Sequence, residues 1–143
     1  MTRLLFLDFD GVLHPDAVFL SSRGVELRAA GELFMWAPIL VEALAPHQDL
    51  RIALSTSWAR NLGFHRARSV LPAELQSRVI GATWHSAMGK GWPDFIPWDA
   101  QTRYEQIQAY LSRLRACELF GHARRRGREW VCDRCGGQMI CSA

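Results

Sequence analysis

The chain is predicted to be an α/β domain, a parallel sheet flanked by helices, followed by a small cysteine-rich tail. Three observations predict it. The apolar run Leu4 to Leu7 delivers Asp8 and Asp10 to a turn at Gly11, and a run without polar alternation reads as a strand covered on both faces. Short strand-like runs then alternate with segments of helical period, the pattern of right-handed βαβ connections. All four cysteines, Cys117, Cys132, Cys135 and Cys141, fall at the end of the chain, which sets that end apart.

At 143 residues the chain holds one domain with a real core. A hydrophobic share of 49% with 22% charged residues argues against wholesale disorder. No apolar run is long enough for a membrane helix, and Met1-Thr2-Arg3 leads into the first strand without a signal-peptide pattern. A cytoplasmic protein without membrane contact is expected, and in that reducing compartment the cysteines favour metal over disulfides. The net charge of +3 is uneven, with five arginines against three acidic residues beyond Ala116. A weakly basic tail hints at polyanion contact.

The elements follow in order. Asp16 to Phe34 has no sustained period and reads as a loop or short hairpin flap, too short for a large cap. Trp36 to Ala45 repeats apolar residues at helical spacing, with Pro38 in the first turn and Pro46 as the stop. Arg51 to Thr56 is a second strand ending in hydroxyls. Trp58 to Leu71 reads as one helix in spite of Gly63, and Arg78 to Thr83 as a third strand. Trp84 to Asp99 is a Gly/Pro loop whose Trp84, Trp92 and Trp98 either stack on bases or pack a flap. Thr102 and Glu105 fit a capping box, and Ile107, Tyr110, Leu111 and Leu114 continue the helix that it opens.

Asp8 and Asp10 carry the chemistry. Residues i and i+2 of an extended chain point to the same side, so two carboxylates crowd at the carboxyl end of a strand, where open α/β sheets place their ligands. A shared proton or a cation relieves them, and Mg²⁺ suits such hard oxygen ligands. The stretch Asp8-Phe9-Asp10-Gly11-Val12-Leu13 resembles motif I of the haloacid dehalogenase (HAD) superfamily of phosphohydrolases. The resemblance implies a HAD-like Rossmannoid sheet without a large cap. It also implies that Asp8 is the nucleophile that becomes an aspartyl-phosphate and that Asp10 is the general acid/base. Gly11 would open the turn over the site, and Mg²⁺ would be held by Asp8 and the Asp10 main-chain carbonyl.

Within the superfamily the chain is most similar to the HAD domain of Swiss Army Knife RNA repair proteins, over about residues 3 to 115. The supporting segments are Leu33 to Trp36, Ser55 to Trp58, Val79 to Thr83 and Thr102 to Leu111. Three hydroxyls, Ser55, Thr56 and Ser57, compete for the phosphoryl-binding role of motif II. The matched segment favours Thr56, with the Ser57 backbone N–H beside it and Ser57 also suited to a helix cap. For the cation of motif III the pattern favours Arg103, with Lys90, the single lysine, second. The acidic pair of motif IV is not found, which leaves Asp94 or Asp99 as substitutes from the loop. His14 either lines the site or packs under the flap.

The tail has its own spacing. Cys117, His122, Cys132 and Cys135, with glycines after the Cys-x2-Cys pair, satisfy a closed tetrahedral Zn²⁺ site, with Cys141 as a substitute. The segment resembles short zinc ribbons of small phage-type proteins. The expected organisation is therefore a HAD-like domain over 1–116 and a Cys/His tail over 117–143. The expected function is Mg²⁺-dependent hydrolysis of a phosphomonoester on a small molecule or a nucleic-acid end. The alternative is a weak or inactive HAD-fold module that binds nucleic acid through the basic zinc-binding tail.

Overall fold

The structure is a computed structural model that describes residues 3–85, 88, 98–120, 123–126, 129–132 and 138–140, with side chains described up to residue 115. Strand β1 (Arg3–Leu7) is followed by an antiparallel hairpin of β2 (Val18–Ser21) and β3 (Gly24–Leu27), then helix α1 (Ala37–Leu44) and strand β4 (Leu50–Leu54). Helices α2 (Ser57–Leu62), α3 (Phe64–Ser69) and α4 (Ala73–Gln76) lead to β5 (Val79–Ala82), and a 3-10 turn at Trp98–Ala100 precedes helix α5 (Arg103–Phe120). β1, β4 and β5 form a parallel sheet in the order β1-β4-β5. This is the expected parallel sheet flanked by helices. Among the described residues no helix is long and apolar enough to cross a membrane.

Burial follows the strand order. Central β4 is sealed on both sides, with Ile52, Ala53 and Leu54 buried, whereas in β1 only Leu7 is buried and Leu4 to Phe6 are half-buried. The two-faced cover predicted for β1 thus belongs to β4, because among the described residues β1 pairs on one side alone. Phe9, Leu13, Ile52, Leu54, Leu75 and Val79 centre the core. Arg78 ties α1 to the sheet, its guanidinium donating to the carbonyls of Leu44, His47 and Leu50.

The single helix predicted over Trp58 to Leu71 is broken. Gly63 sits at φ +85°, a conformation open to glycine, and ends α2 before α3 begins. The capping box at α5 forms as read. The Thr102 amide donates to Glu105 Oε2 at 2.7 Å and the Glu105 amide donates back to Thr102 Oγ1 at 3.3 Å. The Thr102 amide and the Thr102 hydroxyl, which also donates to Glu105 Oε2, hold the Glu105 carboxyl below the usual carboxylate range. The stripe that α5 turns inward includes Gln106 and Tyr110, both buried, and Tyr110 meets Phe6 edge-on at 5.6 Å.

α5 continues to Phe120, so the junction expected between 116 and 117 falls inside a helix. Beyond it the backbone forms a second antiparallel sheet of β6 (Ala123–Arg126), β7 (Glu129–Cys132) and β8 (Gln138–Ile140), which the sequence reading did not anticipate. Of the proposed zinc ligands, Cys117 lies in the last turn of α5 and Cys132 ends β7, while His122 and Cys135 lie outside the described residues.

Candidate active site

The ends of the three parallel strands set up the site. Leu7 pairs with Leu54 and Leu54 with Ala82, so the next residues out, Asp8, Ser55 and Thr83, lie in one row across the carboxyl edge. The Ser55 amide donates to Leu7 O at 2.7 Å and the Thr83 amide to Leu54 O at 2.8 Å, which carries the ladder into that row. The chain then turns sharply. Phe9 O accepts from the amides of Val12 and Leu13, and Gly11, at φ +73°, donates to His14 O.

Both oxygens of Asp8 are engaged. Oδ1 accepts from the Phe9 amide at 2.8 Å, and Oδ2 accepts from Arg103 Nη2 at 3.0 Å. Arg103 reaches it from the first turn of α5, 95 residues away in sequence. Its other Nη donates to Gln106 Oε1 at 3.0 Å, and Gln106 Nε2 donates in turn to Trp98 O at 2.8 Å. Gln106 therefore fixes the guanidinium from a buried position. The sequence reading missed it, although its place one turn after Arg103 is an i,i+3 pairing signal.

Asp10 is held differently. Its Oδ1 lies 3.0 Å from His14 Nε2 and 3.1 Å from Trp58 Nε1. Asp10 and Trp58 also line a small open crevice between the β2–β3 hairpin, which contributes Val18, Leu20 and Val25, and α2, which contributes Asn61 and Leu62. The hairpin is thus the flap the sequence suggested.

The hydroxyl segment departs from the reading. Thr56, not Ser57, caps α2: its Oγ1 accepts from the Trp58 amide at 3.3 Å, and the residue has no exposed surface. Ser57 lines the crevice. Ser55 Oγ, on the residue next to Asp8 in the row, is buried with no hydrogen-bond partner among the described residues, and so is Thr83 Oγ1. A buried polar group without a partner calls for an explanation such as a bound ligand or water.

Of the remaining candidates, Lys90 and Asp94 lie outside the described residues. Asp99 pairs with Arg60 at 2.8 Å on the rim. Among the described residues no three His, Cys, Asp or Glu side chains gather as a metal site.

The model of the HAD domain in Swiss Army Knife RNA repair proteins matches residues 4–131. The chain belongs to that family. The match starts in the strand before the aspartates and takes in every side chain of the site just described. The match makes it a HAD-type hydrolase domain, with the parallel α/β sheet expected of one. No curated protein and no solved structure matches the chain.

Proposed function

We propose that the protein is a phosphomonoester hydrolase that works through an aspartyl-phosphate on Asp8. The observation that carries this reading is the pair of carboxylates at the end of β1, one held by a guanidinium at 3.0 Å and the other by two N–H groups on a single oxygen. A nucleophile braced by a cation next to a carboxylate with a different environment is the arrangement that splits two acids into two roles. Asp8 attacks phosphorus, while Arg103 spreads its positive charge over the attacking carboxylate and the phosphoryl oxygens. Asp10 gives its proton to the leaving oxygen, then takes one from the water that hydrolyses the intermediate.

A hydroxyl from Ser55 to Ser57 steadies the phosphoryl oxygens. Thr56 Oγ1 accepts from the Trp58 amide in the helix cap and keeps its O–H to donate, and the hydroxyl of Ser55, the residue next to Asp8 in the row, has no partner among the described residues. Mg²⁺ fits the donor set, because the Asp8 carboxylate and the Asp10 main-chain carbonyl are hard oxygens and Mg²⁺ keeps waters and substrate oxygens for the rest. When bound it would neutralise phosphoryl charge. The family's tie to RNA repair supports a phosphorylated nucleic-acid end as the substrate, and the basic tail, with Arg124, Arg125, Arg126 and Arg128, supplies charge of the sign that phosphates attract.

The test is phosphate release from p-nitrophenyl phosphate and from a 3′- or 5′-phosphorylated oligonucleotide, with and without Mg²⁺. Release by the wild type that is lost in Asp8→Asn is expected. Activity that survives in Asp8→Asn refutes the covalent route.

A further inference from the structure

Both contacts of Asp10 end on the same oxygen, and the direction of each can be worked out. The Phe34 amide donates to His14 Nδ1 at 3.2 Å, so Nδ1 is an acceptor and the ring proton sits on Nε2. The indole Nε1–H of Trp58 can only donate. Asp10 Oδ1 therefore receives two N–H groups, which use its lone pairs, and a proton carried by Asp10 belongs on Oδ2.

The surroundings are built to keep it so. His14 has no exposed surface, and Trp58 is 5% exposed. Phe34 packs edge-on against His14 at 4.8 Å, against Trp58 at 5.2 Å and against Phe9 at 5.2 Å. Phe34 itself stands at φ +61°, a left-handed conformation that a bulky side chain adopts only when its neighbours impose it. In that conformation its amide serves His14.

We propose that His14 and Trp58 are positioning residues that fix the Asp10 carboxylate in one orientation and reserve Oδ2 for proton transfer. The inference rests on the phosphohydrolase reading. As Asp8 bonds to phosphorus and the bond from phosphorus to the leaving oxygen breaks, the proton on Asp10 Oδ2 moves to that oxygen and a neutral alcohol departs. Oδ2 then takes a proton from water as the water oxygen bonds to phosphorus. The bond from phosphorus to Asp8 breaks, and phosphate leaves with the Asp8 carboxylate restored.

A positioning role shows in the leaving-group dependence. The term kcat/KM covers the steps through departure of the first product, and phenolate needs a proton there far more than p-nitrophenolate does. Trp58→Phe, which keeps a ring but loses the donor, should lower kcat/KM about tenfold more for phenyl phosphate than for p-nitrophenyl phosphate. His14→Leu should do the same, and His14→Gln, which restores an N–H donor, should recover part of the loss. Equal losses on the two substrates, or none, overturn the positioning role while leaving the phosphohydrolase reading intact. A wild type without Asp8-dependent release overturns both. Independently of activity, the ¹⁵N spectrum of His14 should show the Nε2–H tautomer, and an Nδ1–H tautomer refutes the inference.

Discussion

Replacing Ser55 and Thr56 separately by alanine should move stability in opposite directions. The Thr56 hydroxyl caps α2, and the residue is wholly buried. Its loss removes an N-cap, worth about 1 kcal/mol, and a buried methyl, worth about 0.8 kcal/mol. Thr56→Ala should therefore destabilise by about 2 kcal/mol. Ser55 Oγ is buried without a partner among the described residues, and such a group costs about 1–3 kcal/mol in the folded state. Ser55→Ala should be neutral or stabilise by about 1 kcal/mol. With a urea m-value of about 2 kcal/mol per molar, the midpoint falls by about 1 M in Thr56→Ala and rises by up to about 0.5 M in Ser55→Ala. Turnover should respond the other way, with Ser55→Ala losing about 100-fold if its hydroxyl meets the phosphoryl group. A Ser55→Ala protein destabilised by 1 kcal/mol or more would show that the hydroxyl is already satisfied. Turnover lost in Thr56→Ala but kept in Ser55→Ala would return the phosphoryl contact to Thr56.

Arg103→Ala should lower kcat/KM by about 100-fold or more, and Gln106→Leu by a smaller factor that appears mainly in KM, because Gln106 acts through the guanidinium; steady-state kinetics on p-nitrophenyl phosphate separates the two. Burial, helped by nearby Arg113, pushes the His85 imidazole down from 6.5 to about 4. Between those values the unfolded chain binds a proton that the folded one does not, so this contribution is full above about pH 6.5 and is lost as the pH falls towards 4. After allowance for the partial exposure of the ring, the loss is about 1–2 kcal/mol. Urea midpoints at pH 7 and pH 5 should show it in the wild type, with a smaller difference in His85→Gln. Arg78→Ala should cost about 2–3 kcal/mol by removing the charged donor shared by three carbonyls, with Arg78→Lys recovering part, as thermal melts would record.

What could be read from sequence was local. Asp8 and Asp10 stand between an apolar run and a glycine turn, and both signals lie within a few residues. The Thr102–Glu105 box closes over four residues and formed as expected. The rest depended on partners brought from afar or on backbone angles. Trp58 meets Asp10 across 48 positions, and nothing in its neighbours says which way the indole points. The sequence leaves His14 between two roles because the choice rests on the Phe34 amide, and that contact needs a dihedral angle no aromatic residue announces. Gly63 was read as tolerable within a helix, yet its positive φ decides the break. The sequence offers Ser57 as the cap, but the end of β4 at Leu54 puts Thr56 in the capping place.

The long reach from Arg103 to Asp8 also bears on how the protein is made. The Asp10–His14 contact closes over four residues and is local, whereas the β1–β4 pairing joins residues 47 apart and is a non-local contact. Arg103, whose guanidinium donates to Asp8, is encoded 95 residues later, which at ordinary elongation rates is about 5–20 s of synthesis. During that interval Asp8 exists without its guanidinium partner. A nascent chain arrested before α5 would display the acidic edge yet lack the Arg103 charge, so the proposed activity would be acquired when α5 docks and not gradually along the folding path.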